Sequence, residues 1–244
     1  MQKKPRKLHG GDIYRHPDVI DFSVNTNPLG TPESVKRAVQ ESVAKIEHYP
    51  DVRCEALRKA ISRFEQVNME EILCGNGAAE LFFAAVQAVC PQKALVIAPS
   101  FSEYEEALRS VGAEAEYYYL CEEDNFQIRE DYVDKLSEEI DMIFLCNPNN
   151  PTGQTIDRDI LIKILDCCKK QNIVVILDEC FLEFLDEPNR YEMSNLRGEY
   201  PNLLIIKAFT KIFSMPGLRL GYAISSNPDI LEELMPWNIS VQKI

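Results

Sequence analysis

The sequence predicts an α/β protein in which a mainly parallel β-sheet is covered by helices on both faces. The first observation is a series of short, continuous apolar runs without polar alternation, which are typical of strands buried on both sides. The second is that amphipathic stretches at helical spacing separate these runs. The third is that polar or glycine-rich segments follow several runs directly, where parallel sheets place their sites.

The first part of the chain predicts three helices. Thr31 and Pro32 are typical of an N-cap followed by a proline at the first helical position, and apolar residues then recur at helical spacing as far as Ile46. Residues 57–64 predict a second helix from the same spacing. Residues 78–89 are apolar almost all round, which indicates a buried helix.

Strands and helices alternate from residue 94 onward. The predicted strands cover residues 94–98, 114–120, 142–146, 173–177 and 203–206, and the predicted helices cover residues 103–111 and 160–168. Asn227 and Pro228 begin a further helix. Because parallel strands end at the same edge of a sheet, we expect the segments after residues 146, 177 and 206 to meet there.

The charge and the apolar content limit the classes of function. The 244 residues include 26 Lys and Arg against 39 Asp and Glu, a net charge of −13, and 45% of the residues are hydrophobic. The chain can therefore form a sizeable core, and its acidity argues against nucleic acids and anionic membranes as partners. No apolar run reaches the ~18 residues of a membrane span, and the basic first residues lead into no secretory signal.

The cysteines and histidines predict neither disulfides nor a metal site. Eight cysteines occur without a C-x-x-C pair, and several lie in apolar runs, so we expect buried, reduced thiols in a cytoplasmic protein. The three histidines form no ligand pair, so we expect no structural metal.

The segment C-G-N-G-A-A-E at residues 74–80 is a candidate anion site. Its two glycines precede the predicted buried helix, so free backbone N–H groups and the positive end of the helix face the loop. It matches neither a Walker loop nor a full dinucleotide fingerprint, so nucleotide binding is not supported. A plain glycine turn before a core helix is the alternative interpretation.

Charged residues next to apolar strands are the other candidates. Asp178 ends such a strand, so it forms a helix cap or an ion pair, or it holds a cationic ring nitrogen. Of Lys207 and Lys211, one could be a surface lysine and the other a desolvated amine able to form a Schiff base. Arg219 lies between leucines and faces an anion or an internal salt bridge. Together with the amide-rich turn at residues 147–153, these groups match the requirements of pyridoxal phosphate (PLP).

Four motifs in order carry a family resemblance. They are N-P-N-N-P-T-G at residues 147–153, D-E at 178–179, T-K at 210–211 and G-L-R-L-G-Y at 217–222. In this combination the chain resembles the fold-type I PLP-dependent enzymes of the class I/II aminotransferase superfamily. The resemblance implies the three-layer α/β/α large domain of PLP-dependent transferases.

The resemblance also implies a domain organisation. We expect an N-terminal arm over residues 1–32 and a PLP-binding large domain over residues 33–244. The family's small C-terminal domain, with the arginine that binds the substrate carboxylate, is expected to be absent. A homodimer is also implied.

Roles around the cofactor ring follow from the motifs. The resemblance implies that Lys211 is the Schiff-base lysine and that Asp178 is the partner of the pyridine nitrogen. Asn150 would reach the cofactor's 3-hydroxyl and the substrate carboxylate. Tyr104 resembles the aromatic residue that stacks on the ring.

Roles around the cofactor phosphate follow in the same manner. The backbone N–H groups of Ala78 and Ala79 would bind the phosphate, assisted by Thr210 and Arg219. Tyr49 resembles a tyrosine that reaches the phosphate of the neighbouring subunit.

Two branches of the superfamily compete for the substrate. H-G-G-D-I at residues 9–13, F-S-V-N-T-N-P-L-G at residues 22–30 and Phe181 are similar to L-threonine-O-3-phosphate decarboxylase. Histidinol-phosphate aminotransferase is the other branch. Ala208 departs from both, since a phosphate-binding Ser or Thr often stands three residues before the lysine.

The expected function is therefore the PLP-dependent decarboxylation of L-threonine O-3-phosphate in cobalamin biosynthesis. In that branch His9, Gly10 and Gly30 would lie near the phosphorylated amino-acid substrate, together with Asn150. A histidinol-phosphate-type aminotransferase is the first alternative. A non-catalytic module that binds PLP or dimerises is the second.

Overall fold

A computed structural model describes residues 10–237, and within this range the strands form one seven-stranded sheet in the order β1-β7-β6-β5-β4-β2-β3. The strands are β1 (Ile72–Gly75), β2 (Lys93–Ala98), β3 (Glu114–Tyr119), β4 (Met142–Cys146), β5 (Val174–Asp178), β6 (Leu203–Ala208) and β7 (Gly221–Ile224). The five strands β2 to β6 pair in parallel, which confirms the predicted mainly parallel sheet.

The α-helices connect these strands. They are α1 (Glu33–Ser42), α2 (Glu55–Glu65), α3 (Ala78–Val89), α4 (Glu103–Val111), α5 (Arg158–Gln171), α6 (Phe209–Ile212) and α7 (Pro228–Leu234) within the described range. Residues 10–32 contain neither a helix nor a strand. None of the helices described is long and apolar enough to cross a membrane.

Two short antiparallel strands were not predicted from the sequence. β7 pairs antiparallel with both β6 and β1, and each of β1 and β7 has only four residues. Such a short run shows no periodicity that separates a strand from a loop. These strands bring the C-G-N-G and L-G-Y segments side by side, so they help to build the candidate site.

Alternate side chains of the strands face two separate hydrophobic clusters. In β4, Ile143 and Leu145 pack with the cluster that includes α2 and α5, whereas Phe144 and Cys146 pack with the cluster that includes α3, α4 and α7. Both faces of the sheet are therefore covered, which confirms the three-layer arrangement.

Two helix starts differ in how they are capped. Asn227 accepts a hydrogen bond from the backbone of Asp229 at the start of α7, as predicted. The predicted N-cap Thr31 is wrong, because its hydroxyl donates to the carbonyl of Ser214 and α1 begins only after Pro32. A long-range contact thus replaces the local cap.

Candidate active site

The loops after β4, β5 and β6 meet at one edge of the sheet. β4 leads into the turn at residues 147–153, β5 ends at Asp178, and β6 leads directly into α6, which contains Lys211. The parallel register places the ends of these three strands next to one another. The predicted convergence of the three segments is confirmed.

The buried carboxylate of Asp178 accepts hydrogen bonds from two donors. Its Oδ2 atom accepts from the Tyr104 hydroxyl at 2.6 Å, and its Oδ1 atom accepts from the Cys180 N–H at 2.9 Å. Burial raises the pKa of Asp178, while these hydrogen bonds and the charge of Lys211 act in the opposite direction. The carboxylate is thus held in place and suited to a cationic partner.

Lys211 is a partly buried amine without a carboxylate in ion-pair contact among the described side chains. Burial lowers its pKa, and the positive charge of Arg219 adds to this effect, whereas Cys180 and Asp178 oppose it. Its Nζ atom lies 5.8 Å from the centre of the Phe181 ring. A desolvated lysine of this kind can act as a nucleophile.

Lys207 lies on the opposite face of the sheet in a different environment. Its Nζ atom is 2.9 Å from Glu65 and 3.1 Å from Glu192, and it is 3.6 Å from Glu183 and 3.8 Å from Glu179. Lys207 is therefore not the surface lysine that was predicted for one of the pair, because its side chain is buried and its charge is compensated. The choice of Lys211 as the reactive lysine stays a prediction, and this contrast supports it.

The N-terminus of α3 forms the candidate anion cradle. The backbone N–H groups of Ala78 and Ala79 lie in its first turn and have no acceptor within residues 10–237. Arg219 extends over this turn, with its Nη2 atom 3.4 Å from the carbonyl oxygen of Asn76. A Cβ atom on Gly77 would lie only 2.6 Å from that Nη2 atom. The glycine therefore makes room for the guanidinium.

Arg219 donates only to backbone carbonyls in the described part of the chain, those of Asn76 and Pro216. A cation without a carboxylate partner beside a helix N-terminus is suited to an anion such as a phosphate. The hydroxyl of Thr210 has no partner among the described residues and is available as a further donor. Ala208, at the end of β6, contributes no hydroxyl.

The turn after β4 leaves one asparagine side chain unengaged. Asn149 donates to the Pro99 carbonyl and to Thr152, and it accepts from Ser100. The side-chain amide of Asn150 has no hydrogen-bond partner in the part of the chain that the structure describes, and the residue is partly exposed. Asn150 is thus the side chain of this pair that can contact a ligand.

The loop before α1 is attached to the Lys211 segment. The N–H of Asn27 donates to the Lys211 carbonyl at 3.0 Å, and its side chain donates to the Ile212 carbonyl at 2.9 Å. Gly30 has a φ of +77°, and within residues 10–237 the place that a Cβ atom would take is open. These contacts bring the predicted substrate loop next to the candidate lysine.

The remaining substrate and subunit predictions concern residues at the start of the chain and before α2. Gly10 packs closely on Ser23, and His9 lies outside the described residues. Tyr49 is fully exposed. The roles of these residues stay predictions.

Tyr104 does not occupy the position predicted for a ring-stacking residue. It has no exposed surface, its ring stacks on Phe144 with a centroid distance of 4.8 Å, and its hydroxyl contacts Asp178. It therefore offers no free face to a ligand. Phe101, in the same P-S-F-S-E-Y segment, is partly exposed and contacts Tyr104 edge-on at 5.7 Å. Phe101 was not among the site residues predicted from the sequence.

An amine, a buried carboxylate and an anion cradle at the C-terminal edge of a mainly parallel sheet are groups that a PLP-dependent transferase requires. The unpartnered N–H groups of α3 and the uncompensated Arg219 fit the cofactor phosphate, and Asp178 fits its ring nitrogen. Residues 17–240 match the family described as aminotransferase class I and II, and the chain belongs to this family.

Relatives and a solved structure agree with this assignment. Threonine-phosphate decarboxylase of Salmonella typhimurium is 37% identical over 95% of this chain and 66% of its own length. The adenosylcobalamin biosynthesis bifunctional protein CobDQ of Leptospira interrogans is 32% identical over 91% of this chain and 26% of its own length. The crystal structure of the histidinol-phosphate aminotransferase from Clostridium acetobutylicum matches with a TM-score of 0.82 and 33% identity, covering 91% of this chain and 66% of that one.

The chain thus spans about two thirds of the length of the decarboxylase and of the aminotransferase that it matches.

Proposed function

We propose that this chain binds PLP through Lys211 and acts on a phosphorylated amino acid. The observation that carries the proposal is the uncompensated, desolvated amine of Lys211 at the same strand edge as Asp178 and Arg219. In this site Asp178 holds the ring nitrogen, and Asn150 contacts the ring hydroxyl and the substrate carboxylate. Phe101 replaces Tyr104 as the residue that stacks on the ring.

The phosphate of the cofactor is assigned to the cradle at α3. The N–H groups of Ala78 and Ala79, the guanidinium of Arg219 and the hydroxyl of Thr210 supply its donors. Each hydrogen bond to a charged group contributes about 1.5–3 kcal/mol. These donors together therefore compensate for the one hydrogen bond that a Ser or Thr would make in place of Ala208.

The proposed reaction is the decarboxylation of L-threonine O-3-phosphate to (R)-1-aminopropan-2-yl phosphate and CO2 in cobalamin biosynthesis. The 37% identity to a threonine-phosphate decarboxylase and the likeness to CobDQ support it. The bond from Cα to the carboxylate breaks, CO2 leaves, and Cα receives a proton, for which Lys211 is the assigned donor. PLP supplies the electron sink for this chemistry.

A histidinol-phosphate-type aminotransferase is the second candidate. Its supporting observation is the TM-score of 0.82 to an aminotransferase of that name. The two reactions differ in which bond at Cα lies perpendicular to the cofactor ring. The contacts to the substrate carboxylate fix that angle.

A homodimer is proposed as the assembly, in the cytoplasm, with an N-terminal arm over residues 1–32 and a large domain over residues 33–244. Large apolar side chains are exposed throughout the segment from Ile13 to Val52, including Phe22 and Tyr49. Tyr49 is assigned to the phosphate of the neighbouring subunit. An exposed apolar set of this kind is typical of an interface.

The test combines a chemical label with an assay of turnover. After PLP binding and borohydride reduction, peptide mapping should place the pyridoxyl group on Lys211, and Lys211→Ala should abolish it. Lys170→Ala, at an exposed lysine of α5, is the matched control and should keep the label. A label on Lys207 would contradict the assignment.

L-Threonine O-3-phosphate should then release CO2 and aminopropanol phosphate. Amino transfer from histidinol phosphate to 2-oxoglutarate without CO2 release would favour the aminotransferase instead. A labelled protein without either activity would favour a non-catalytic PLP-binding module.

A further inference from the structure

We propose that Tyr104 is a positioning residue that holds the Asp178 carboxylate in its charged form and in a fixed orientation. The inference rests on the proposed function, because the target of that carboxylate is the cofactor's ring nitrogen. The carrying observation is the 2.6 Å hydrogen bond from the Tyr104 hydroxyl to Oδ2 of Asp178. Sequence motifs assigned Tyr104 a different role, so this contact emerges only from the fold.

The position of the Tyr104 hydroxyl is fixed by packing from two elements. Its ring is stacked on Phe144 of β4 with an interplanar angle of 18°, and it meets Phe82 of α3 edge-on at 5.0 Å. Phe101 closes a third side at 5.7 Å. A fully buried ring held in this way loses almost no further rotamer freedom when its hydroxyl donates, so the hydrogen bond is preorganised.

Both oxygens of the carboxylate are fixed by different donors. Tyr104 occupies one lone pair of Oδ2, and the Cys180 N–H occupies one lone pair of Oδ1. An ionised carboxylate has about four acceptor sites, so a ring N–H can still be accepted. Two donors on opposite oxygens set the plane of the carboxylate, which one donor alone would leave free to rotate.

The groups that face Asp178 supply little positive charge to offset the burial of its carboxylate. The titratable groups that face it are Tyr104 from α4, Cys146 at the end of β4, Cys180 after β5 and Lys211 of α6. Burial raises the pKa of both thiols, so they stay neutral and provide no positive charge. Lys211 supplies positive charge, but burial lowers its pKa. Donors to the charged carboxylate therefore offset its desolvation.

The test removes a single hydroxyl at each of two buried tyrosines. Tyr104→Phe removes the donor and keeps the ring. Tyr132→Phe is the matched control, because Tyr132 is also fully buried and its hydroxyl has no hydrogen-bond partner within residues 10–237. Tyr104→Phe should weaken PLP binding about 10- to 100-fold, as expected for one hydrogen bond to a charged group, and Tyr132→Phe should not.

A second measurement uses the cofactor-free protein and needs no activity. Infrared titration follows the absorption band of the protonated Asp178 carboxyl group. This band is identified because it is missing in Asp178→Asn. In Tyr104→Phe this band should persist to higher pH. Incorporation of 3-fluorotyrosine, a stronger hydrogen-bond donor, should shift the titration to lower pH without altering the packing.

An unchanged carboxyl titration in both proteins would overturn the positioning role, as would an equal loss of PLP affinity in the Tyr132→Phe control. If the unaltered protein binds no PLP, the proposed function fails, while the infrared titration still decides the role of Tyr104.

Discussion

At the scale of single residues, neighbouring asparagines in one turn have different tasks. The Asn147 side-chain oxygen accepts from the Ile156 N–H at 2.9 Å, and Asn149 links the turn to the segment after β2 through Ser100 and the Pro99 carbonyl. Asn150 keeps its amide for a ligand. The first two thus order the loop that presents the third.

Gly77 is the residue whose substitution should test the anion cradle. Its φ of 81° and ψ of 170° lie in a region open almost only to glycine, and a Cβ atom would lie 2.6 Å from Nη2 of Arg219. Gly77→Ala should therefore displace the guanidinium and weaken the binding of PLP, and of inorganic phosphate that competes with it, about tenfold or more. Isothermal titration with each ligand measures this effect.

Gly112→Ala provides the control for Gly77→Ala. Gly112 also has a positive φ, +79°, but among the described residues no atom beyond its chain neighbours lies within 4 Å of the place that a Cβ atom would take there. The substitution should cost about 1–2 kcal/mol of stability from backbone strain and leave phosphate affinity unchanged. Equal phosphate affinity in the two variants would contradict the assignment of the cradle.

At the scale of elements, Lys207 and the glutamates around it, here called the Lys207 cluster, connect the ends of β5 and β6 with helix α2. In the described part of the chain, four glutamates surround one ammonium: Glu65 from α2, Glu179 after β5, and Glu183 and Glu192 from the following segment. No group of side chains in that same range is arranged to hold a metal ion. Burial raises the pKa of Glu179 and of Glu183, which favours their protonated forms beside the other carboxylates.

Glu179 is the group in this cluster with the clearest pH effect. Burial raises its pKa from 4.5 to about 8, with Glu192 and Glu65 adding to the rise, while Lys207 and the Met193 N–H oppose it. Because the folded state binds this proton more tightly, its stabilising contribution is complete below pH 4.5 and is lost as the pH rises to about 8. The slope is at most about 1.4 kcal/mol per pH unit.

Glu179→Gln should remove this dependence, because the amide does not ionise. Urea unfolding at several pH values between about 5 and 8 should therefore give a flatter stability profile than in the unaltered protein. The exposed Glu138→Gln is the control and should keep the original slope. Lys207 of β6 and Tyr222 of β7 have raised pKa values and so titrate above this window, whereas burial also raises the pKa of Glu183, which keeps its own contribution to the slope in both variants. A profile as steep in Glu179→Gln as in the control would refute the assignment of the proton to Glu179.

At the scale of the whole molecule, the sequence predicted the parallel strands because each is a continuous apolar run, such as residues 142–146. It did not predict β1 and β7, since four residues carry no usable period. The Lys207 cluster could not be predicted either, because Glu65 lies 142 residues from Lys207 in the chain and only the fold brings the two together. The burial of Tyr104 depends on α4 packing against β4, which no local motif specifies.

At this scale, the exposed apolar side chains of residues 10–32 predict that the protein associates with a second copy of itself. Tyr14, Ile20 and Phe22 are each more than four fifths exposed, and they lie in residues 10–32, outside any helix or strand. Burial of such side chains between two copies would contribute about 1.5–3 kcal/mol for each large one. Continuity with the loop that contacts Lys211 through Asn27 would place the second copy close to the candidate site.

Sedimentation equilibrium should therefore find a dimer. Ile20→Ser should raise the dissociation constant of this dimer about tenfold or more, because each copy loses a side chain that the dimer buries. Tyr119→Ser is the matched control, since Tyr119 is a large apolar residue with 71% exposure on the edge strand β3, far from the segment in sequence. It should leave the dimer intact. A monomer at every concentration, or equal dissociation in both variants, would reject the arm as an interface. A dimer that weakens only with Ile20→Ser would also predict that PLP affinity falls with dilution, since Tyr49 is assigned to the partner's phosphate.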